Sequence, residues 1–276
     1  MVTIKKENEI ALIREGGHIL SGILKKIAAE VKPGVKTDYL EKMACDLIKQ
    51  AGGRPAFKGY KTFLDDKGFP TALCTSINDE VVHAPAIPGR VLNEGDIIGI
   101  DVGMEYPIQE HPQNGKPYNK LSKKGGFYTD MAITVPVGNV GKDVQKLIDV
   151  TKKSLDLGIA QVKPGNTLND IGRAIQKYAE AQGFSVVRDL VGHGVGFAVH
   201  EDPQVPNYEV RDRSMKNVTL KSGMVIAIEP MVNMGSYEIM GSEDGFTIVT
   251  TDESLSAHFE HTVVVTNNGC EILTKF

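Results

Sequence analysis

Asp101, Asp130, Glu229 and Glu260 each stand in or beside an apolar, β-branched run: DIIGIDVGM, YTDMAITVPV, MVIAIEPMV and FEHTVVV. His193 stands in VGHGVGF. Such runs read as core strands, and an ionised carboxylate in one is costly unless a counter-charge reaches it. No matching set of arginines or lysines lies inside these runs. Two divalent cations balance four carboxylates charge for charge, so the simplest account is a buried two-metal site.

Ligand chemistry narrows the ions. Carboxylates and one imidazole, with no thiolate, suit manganese, ferrous iron, cobalt or zinc and disfavour soft copper(I). Paired metals about 3.5–4 Å apart are typical of hydrolases, where they lower the pKa of a bridging water and polarise the scissile bond. A carboxylate can then shuttle the proton, and neutral histidines can stabilise an oxyanion. The run Ile97–Val102 is apolar on both faces, so Asp101 points into protein whichever side it takes. Asp130 also fits a hairpin-edge aspartate, and Glu229, before Pro230, also fits a strand end. His193 lies between glycines that permit close approach of backbone or ligand. His83, closing NDEVVH, and His200, opening HEDPQ, read equally well as structural or site residues.

The elements that must position these groups repeat. VKPG occurs at Val31–Gly34 and at Val162–Gly165, each time between two amphipathic segments. Ile10, Ile13, Gly17, Leu20, Leu24 and Ile27 share one helical face, and Leu40, Met43, Ala44 and Leu47 share another over Asp38 to about Gln50. After the second turn, Leu168, Ile171, Ile175 and Tyr178 do the same. Strands are expected at Leu73–Ser76, Ile97–Val102 and Met131–Val135, then at Val186–Val187, Val225–Ile228 and Thr262–Thr266. Helix, turn, helix and sheet taken twice imply an α+β duplication, with halves of about 1–140 and 141–276 in a single catalytic domain. Two polar stretches stand out, Lys61–Gly68 and the longer Glu105–Gly126, and the second reads as an exposed loop.

The 276 residues suffice for a sizeable core, and 41% hydrophobic with 24% charged residues is ordinary for a globular chain. A net charge of -4 gives no global argument for DNA or an anionic membrane as partner. Cys45, Cys74 and Cys270 form no CxxC and no disulfide framework, which suggests a reducing compartment. No run approaches the ~20 apolar residues of a membrane span, so a cytoplasmic protein is expected.

Seven segments carry a resemblance, in one order across nearly the whole chain: Cys74–His83, Ile100–Val102, Thr129-Asp130, Gly192–Gly194, His200–Gln204, Ile228–Asn233 and Ser256–Thr262. With them the sequence resembles the type I methionine aminopeptidases of the pita-bread metallopeptidase superfamily. The resemblance implies a pita-bread fold, two divalent cations, and removal of the initiator methionine from nascent proteins whose second residue is small. It implies that Asp101 chelates one metal, His193 and Glu229 the other, and that Asp130 and Glu260 bridge both. It further implies that His83 and His200 contact substrate, that Glu229 shuttles the proton, and that Tyr60, Phe69, Cys74 and Phe246 form the methionine pocket. The absence of a zinc-finger extension makes the chain look like the bacterial form, which is expected to be monomeric.

Some features depart from that pattern. The stretch Glu105–Gly126 is far longer than the usual turn, extra residues separate Tyr60 from Phe69, Phe246 replaces a frequent tryptophan, and Val199 replaces a frequent aromatic. Lys116, Lys120, Lys123 and Lys124 in the long stretch could make transient ribosome contact. Rival readings are an X-Pro peptidase on the same fold and a metal-free peptide- or RNA-binding scaffold. Chain length and the HEDPQV stretch argue against the first, and the intact ligand set against the second.

Overall fold

A computed structural model describes residues 2–61, 67–108, 119–122, 125–212 and 215–275. Among them are the helices α1 (Glu7–Ala29), α2 (Thr37–Gln50), α3 (Lys142–Ile159) and α4 (Leu168–Ala181). The strands of the first half are β1 (Arg54–Pro55), β2 (Leu73–Ile77), β3 (Glu80–Val82), β4 (Ile97–Tyr106) and β5 (Phe127–Pro136). Those of the second half are β6 (Ser185–Val186), β7 (Gly192–Gly194), β8 (Glu201–Val205), β9 (Val225–Ile228), β10 (Met231–Asn233), β11 (Ile239–Gly241), β12 (Ile248–Thr250), β13 (Ser256–His258), β14 (Glu260–Val265) and β15 (Cys270–Ile272).

Each expected helix and strand overlaps an observed one, and the differences lie at strand ends. β4 and β5 outrun their apolar cores because ladder bonds continue through Glu105 and Tyr128, which face each other in the register. Polar side chains do not end a strand whose backbone stays paired. Likewise β14 begins at Glu260, two residues before the apolar run, because Glu260 pairs with Ala132. β6 ends one residue short of Val187, whose N–H bonds to the Met231 carbonyl just beyond the ladder.

The main sheet has the order β1-β4-β5-β14-β9-β7-β8, with β2 on β4 and β15 on β14. All its pairings are antiparallel. Helix α1 packs on β4 and β5, while α3 packs on β5, β9, β10 and β13. Between helices and sheet, Leu20, Leu24, Ile98, Ile100, Val102, Ile171, Ile226 and Ile228 form one continuous core. Gly17 of α1 is required there, since a Cβ would stand 2.3 Å from the Leu273 carbonyl oxygen.

The two VKPG turns are alike beyond their letters. Gly34 and Gly165 both adopt positive φ, 86° and 91°, which glycine adopts without penalty. Gly34 N–H donates to the Leu92 carbonyl and Leu92 N–H to that of Val35; Gly165 donates to Leu220 and Leu220 to Asn166. Thr37 and Leu168, each opening the next helix, donate to Arg90 and Val218.

The stretch Glu105–Gly126 is not simply an exposed loop. Glu105 lies in β4 and is fully buried, bonded by Arg54 and by Ser122. Buried Asn119 donates through Nδ2 to the carbonyls of Gly126 and Phe197. These polar groups are buried because they satisfy one another, a pairing that linear sequence does not display. Lys120 is exposed; Lys116, Lys123 and Lys124 lie outside the described residues.

Candidate metal centre

Register puts the acids on one face. Directly paired residues of antiparallel strands share a face, and so do alternate residues of one strand. Asp101 alternates with Gly103, which pairs with Asp130. Asp130 alternates with Ala132, which pairs with Glu260. Glu260 alternates with Thr262, which pairs with Ala227, and Ala227 pairs with His193. Glu229 lies two residues beyond Ala227, just past the end of β9. Five groups from five stretches of sequence therefore converge on one side of one sheet.

Their separations are short. His193 Nε2 lies 3.9 Å from Asp130 Oδ2, 3.7 Å from Glu229 Oε1 and 3.9 Å from Glu260 Oε1. The Asp101 carboxyl interacts with that of Asp130 and with the Cys74 thiol, its partner across β2 and β4. Thr262 pins the backbone beneath Asp130 from both sides, since its hydroxyl accepts from Asp130 N–H at 3.0 Å and donates to the Asp130 carbonyl at 2.8 Å. The glycines around His193 serve the sheet rather than a ligand. A Cβ on Gly192 or Gly194 would meet the Ala227 or Asp202 carbonyl oxygen at 2.3 or 2.2 Å.

Burial dominates the electrostatics. It pushes Asp101 and Glu260 well above the usual carboxylate range, reinforced by the neighbouring acids, and raises Asp130 and Glu229 to about 7. Among the described residues, the ion-pair partners of these acids are the imidazoles of His193 and His258. Asp101 Oδ1 and Glu260 Oε1 are buried without a hydrogen-bond partner. Orphaned acceptors and mutually repelling acids fit a bound cation, which supplies both missing partner and missing charge.

Beside the acids opens a cavity of about 580 Å³, lined by Tyr60, Phe69, Cys74, Phe246, His83 and His200 together with the acids and His193. Phe69 and Phe246 meet edge to face at 5.6 Å. The extra residues between Tyr60 and Phe69 do not separate them, because Phe69 N–H donates to the Tyr60 carbonyl at 2.8 Å. Phe57, Leu190, Gly245 and Ile248 complete the wall, and Val199 packs behind it with Phe57 and Cys74. His200 Nδ1 lies 2.8 Å from the Tyr60 hydroxyl, and its ring meets that of His193 edge to face at 4.4 Å. Both cavity histidines are held neutral by the enclosing protein, His83 at about 4 and His200 well below its ordinary value. His83 sits at φ 62°, a left-handed conformation uncommon outside glycine and concentrated at functional positions.

Sequence reasoning missed His258, whose Nε2 lies 3.3 Å from Glu229 Oε2. It also missed the anchoring Thr262 and the wall residues Phe57, Leu190 and Ile248.

Fold and site together define a metallopeptidase of the pita-bread class. The model of metallopeptidase family M24 matches residues 11–108 and 121–267, and the chain belongs to that family. It is 44% identical over 275 residues to the methionine aminopeptidase of Clostridium perfringens, with 99% of each chain covered. It is 42% identical over 276 residues to methionine aminopeptidase 1 of Bacillus subtilis, with 100% of each covered. The crystal structure of the methionine aminopeptidase from Thermotoga maritima superposes with a TM-score of 0.87 at 38% identity over the whole of both chains.

Proposed function

We propose that this chain removes the initiator methionine from nascent polypeptides whose second residue is small. One juxtaposition supports the reading most: four carboxylates and His193 open directly onto an apolar cup containing Tyr60, Phe69, Cys74 and Phe246. An unbranched thioether suits such a cup, since aromatic rings pack favourably on sulfur. Relatives that align end to end bear the name of that activity.

On this reading Asp101 would hold one divalent cation and His193 with Glu229 another, with Asp130 and Glu260 serving both; manganese, ferrous iron, cobalt and zinc would all suit the set. When bound, the cations supply an acidified water and polarise the scissile carbonyl. The chain's own groups do the rest. With the Tyr60 hydroxyl, 2.8 Å away, donating a hydrogen bond to His200 Nδ1, the neutral imidazole would carry its proton on Nε2, for the carbonyl oxygen where negative charge develops. His83, neutral in the same cavity, contacts the substrate backbone. Glu229 lines the cavity, takes the proton released by the attacking water and returns it to the leaving amine.

The test is a peptide panel with protein loaded separately with each of the four metals. Release of methionine from Met-Ala peptides, with Met-Leu and X-Pro peptides resistant, is expected. Cleavage of X-Pro peptides with Met-Ala left intact would overturn the proposal.

No helix among the described residues is long and apolar enough to cross a membrane. In keeping with the proposed substrate, the protein works as a cytoplasmic monomer and touches the ribosome transiently through the basic stretch that includes Lys120. Unchanged ribosome co-sedimentation after replacement of Lys116, Lys120, Lys123 and Lys124 by alanine would remove that last element.

A further inference from the structure

His258 ends β13 and pairs with Met231 of β10. Its backbone is clamped by Thr134 of β5, whose hydroxyl accepts from His258 N–H and donates to the His258 carbonyl, each at 2.8 Å. That clamp aims a side chain only 3% exposed at the carboxylates. Nε2 lies 3.3 Å from Glu229 Oε2, yet it has no hydrogen-bond partner, so the nitrogen sits beside that oxygen rather than along a bond to it. Donor atoms of Glu229, His258 and Glu260 lie within 4.8 Å of one another. Glu229 is thus flanked, with Oε1 3.7 Å from His193 Nε2 and Oε2 facing His258.

The 3.3 Å separation of His258 Nε2 from Glu229 Oε2 is that of two ligands of one ion. Donors about 2.0–2.1 Å from a first-row cation stand about 2.9 Å apart in octahedral and about 3.3 Å apart in tetrahedral geometry. A buried imidazole nitrogen without a partner otherwise leaves a desolvation cost uncompensated. We propose that His258 is a metal ligand through Nε2, so that two imidazoles, not one, hold the cation on the Glu229 side of the centre. The inference rests on the metal centre proposed above and is independent of the peptide substrate. A second nitrogen donor moves the site's preference away from manganese, which favours oxygen, towards zinc and cobalt.

Pulsed electron paramagnetic resonance on manganese-loaded protein with ¹⁵N-labelled histidine counts coordinated imidazoles. Two are expected in the unaltered protein and one in His258→Gln, with zinc affinity at least about tenfold weaker in the variant and manganese affinity changed less. A single coordinated imidazole in the unaltered protein would overturn the proposal, and so would equal zinc affinity in the two proteins. The count in the unaltered protein decides the matter even where the variant does not fold. Failure to release methionine from any peptide would sink the proposed function and leave the nitrogen count standing.

Discussion

Lys5 Nζ lies 3.0 Å from Glu201 Oε2, with both side chains almost completely buried, and so ties the start of the chain to the residue after His200. The other oxygen of Glu201 accepts from Phe197 N–H at 2.6 Å, and Lys5 also stacks over the Phe197 ring. The segment that carries His200 is therefore held from beneath by this pair and from the side by Asn119, which bonds the Phe197 carbonyl.

Breaking that pair should act on both stability and rate. Removing one partner of a buried ion pair leaves the other charge stranded, at a cost of about 3–5 kcal/mol. Lys5→Met is expected to lower the unfolding free energy by that amount in urea denaturation. It should also lower kcat several-fold more than it changes metal affinity, because His200 is displaced while the acids are not. Unchanged kcat with lowered stability would assign the pair to folding alone.

His200 itself is expected to matter through one donated hydrogen bond. His200→Ala should keep its metal and lose about 10²–10³ in kcat, the scale of removing one oxyanion donor. Tyr60→Phe, which removes the partner of Nδ1 at 2.8 Å, should cost less, about tenfold, since the ring remains and only its proton is no longer fixed. Steady-state kinetics on a Met-Ala peptide with parallel metal analysis checks both.

How far these relations could be read beforehand depended on residue surroundings. Asp101, Asp130, Glu229 and Glu260 stood out because each interrupts or borders an apolar run, and the helices because their apolar residues keep a 3.6 period. Strand pairing was not legible. That Gly103 faces Asp130, and Ala132 faces Glu260, depends on long-range register. His258 escaped notice because it lies in the short polar stretch SAH, where nothing marks it as buried. Lys5 stands in the polar run KKENE, where nothing marks it as buried. Phe57, Leu190 and Ile248 come from separate irregular or short segments, and only folding makes them one wall.

The raised carboxylates give metal removal a pH signature. Asp130 and Glu229 ionise near 7 in the folded, metal-free protein against ordinary values of 3.8 and 4.5. Between about pH 4 and 7 the folded state thus binds more protons than the unfolded chain, and stability without metal falls as pH rises through that window. Metal binding runs the other way, since cations displace those protons and bind more tightly as pH rises. The Tm lost on chelation is therefore expected to be small at pH 5 and several degrees larger at pH 8. A loss independent of pH would show that cations do not neutralise these acids.

Replacing a single acid should separate function from folding. Asp101→Asn and Glu260→Gln each delete an anionic donor whose partner oxygen is orphaned in the protein, Oδ1 and Oε1 respectively. Turnover and metal affinity are expected to collapse in both. With chelator at pH 8, however, each variant should melt at or above the temperature of the unaltered protein. The reason is charge: the acids of this face repel one another and are pushed up by burial, so a neutral amide of the same shape removes repulsion and desolvation together. Calorimetry with and without metal reads both halves of the expectation. A variant that melts lower than the unaltered protein in chelator would mean that the lost carboxylate was stabilising the fold through bonds of its own, and that the acids are not gathered there at the expense of stability.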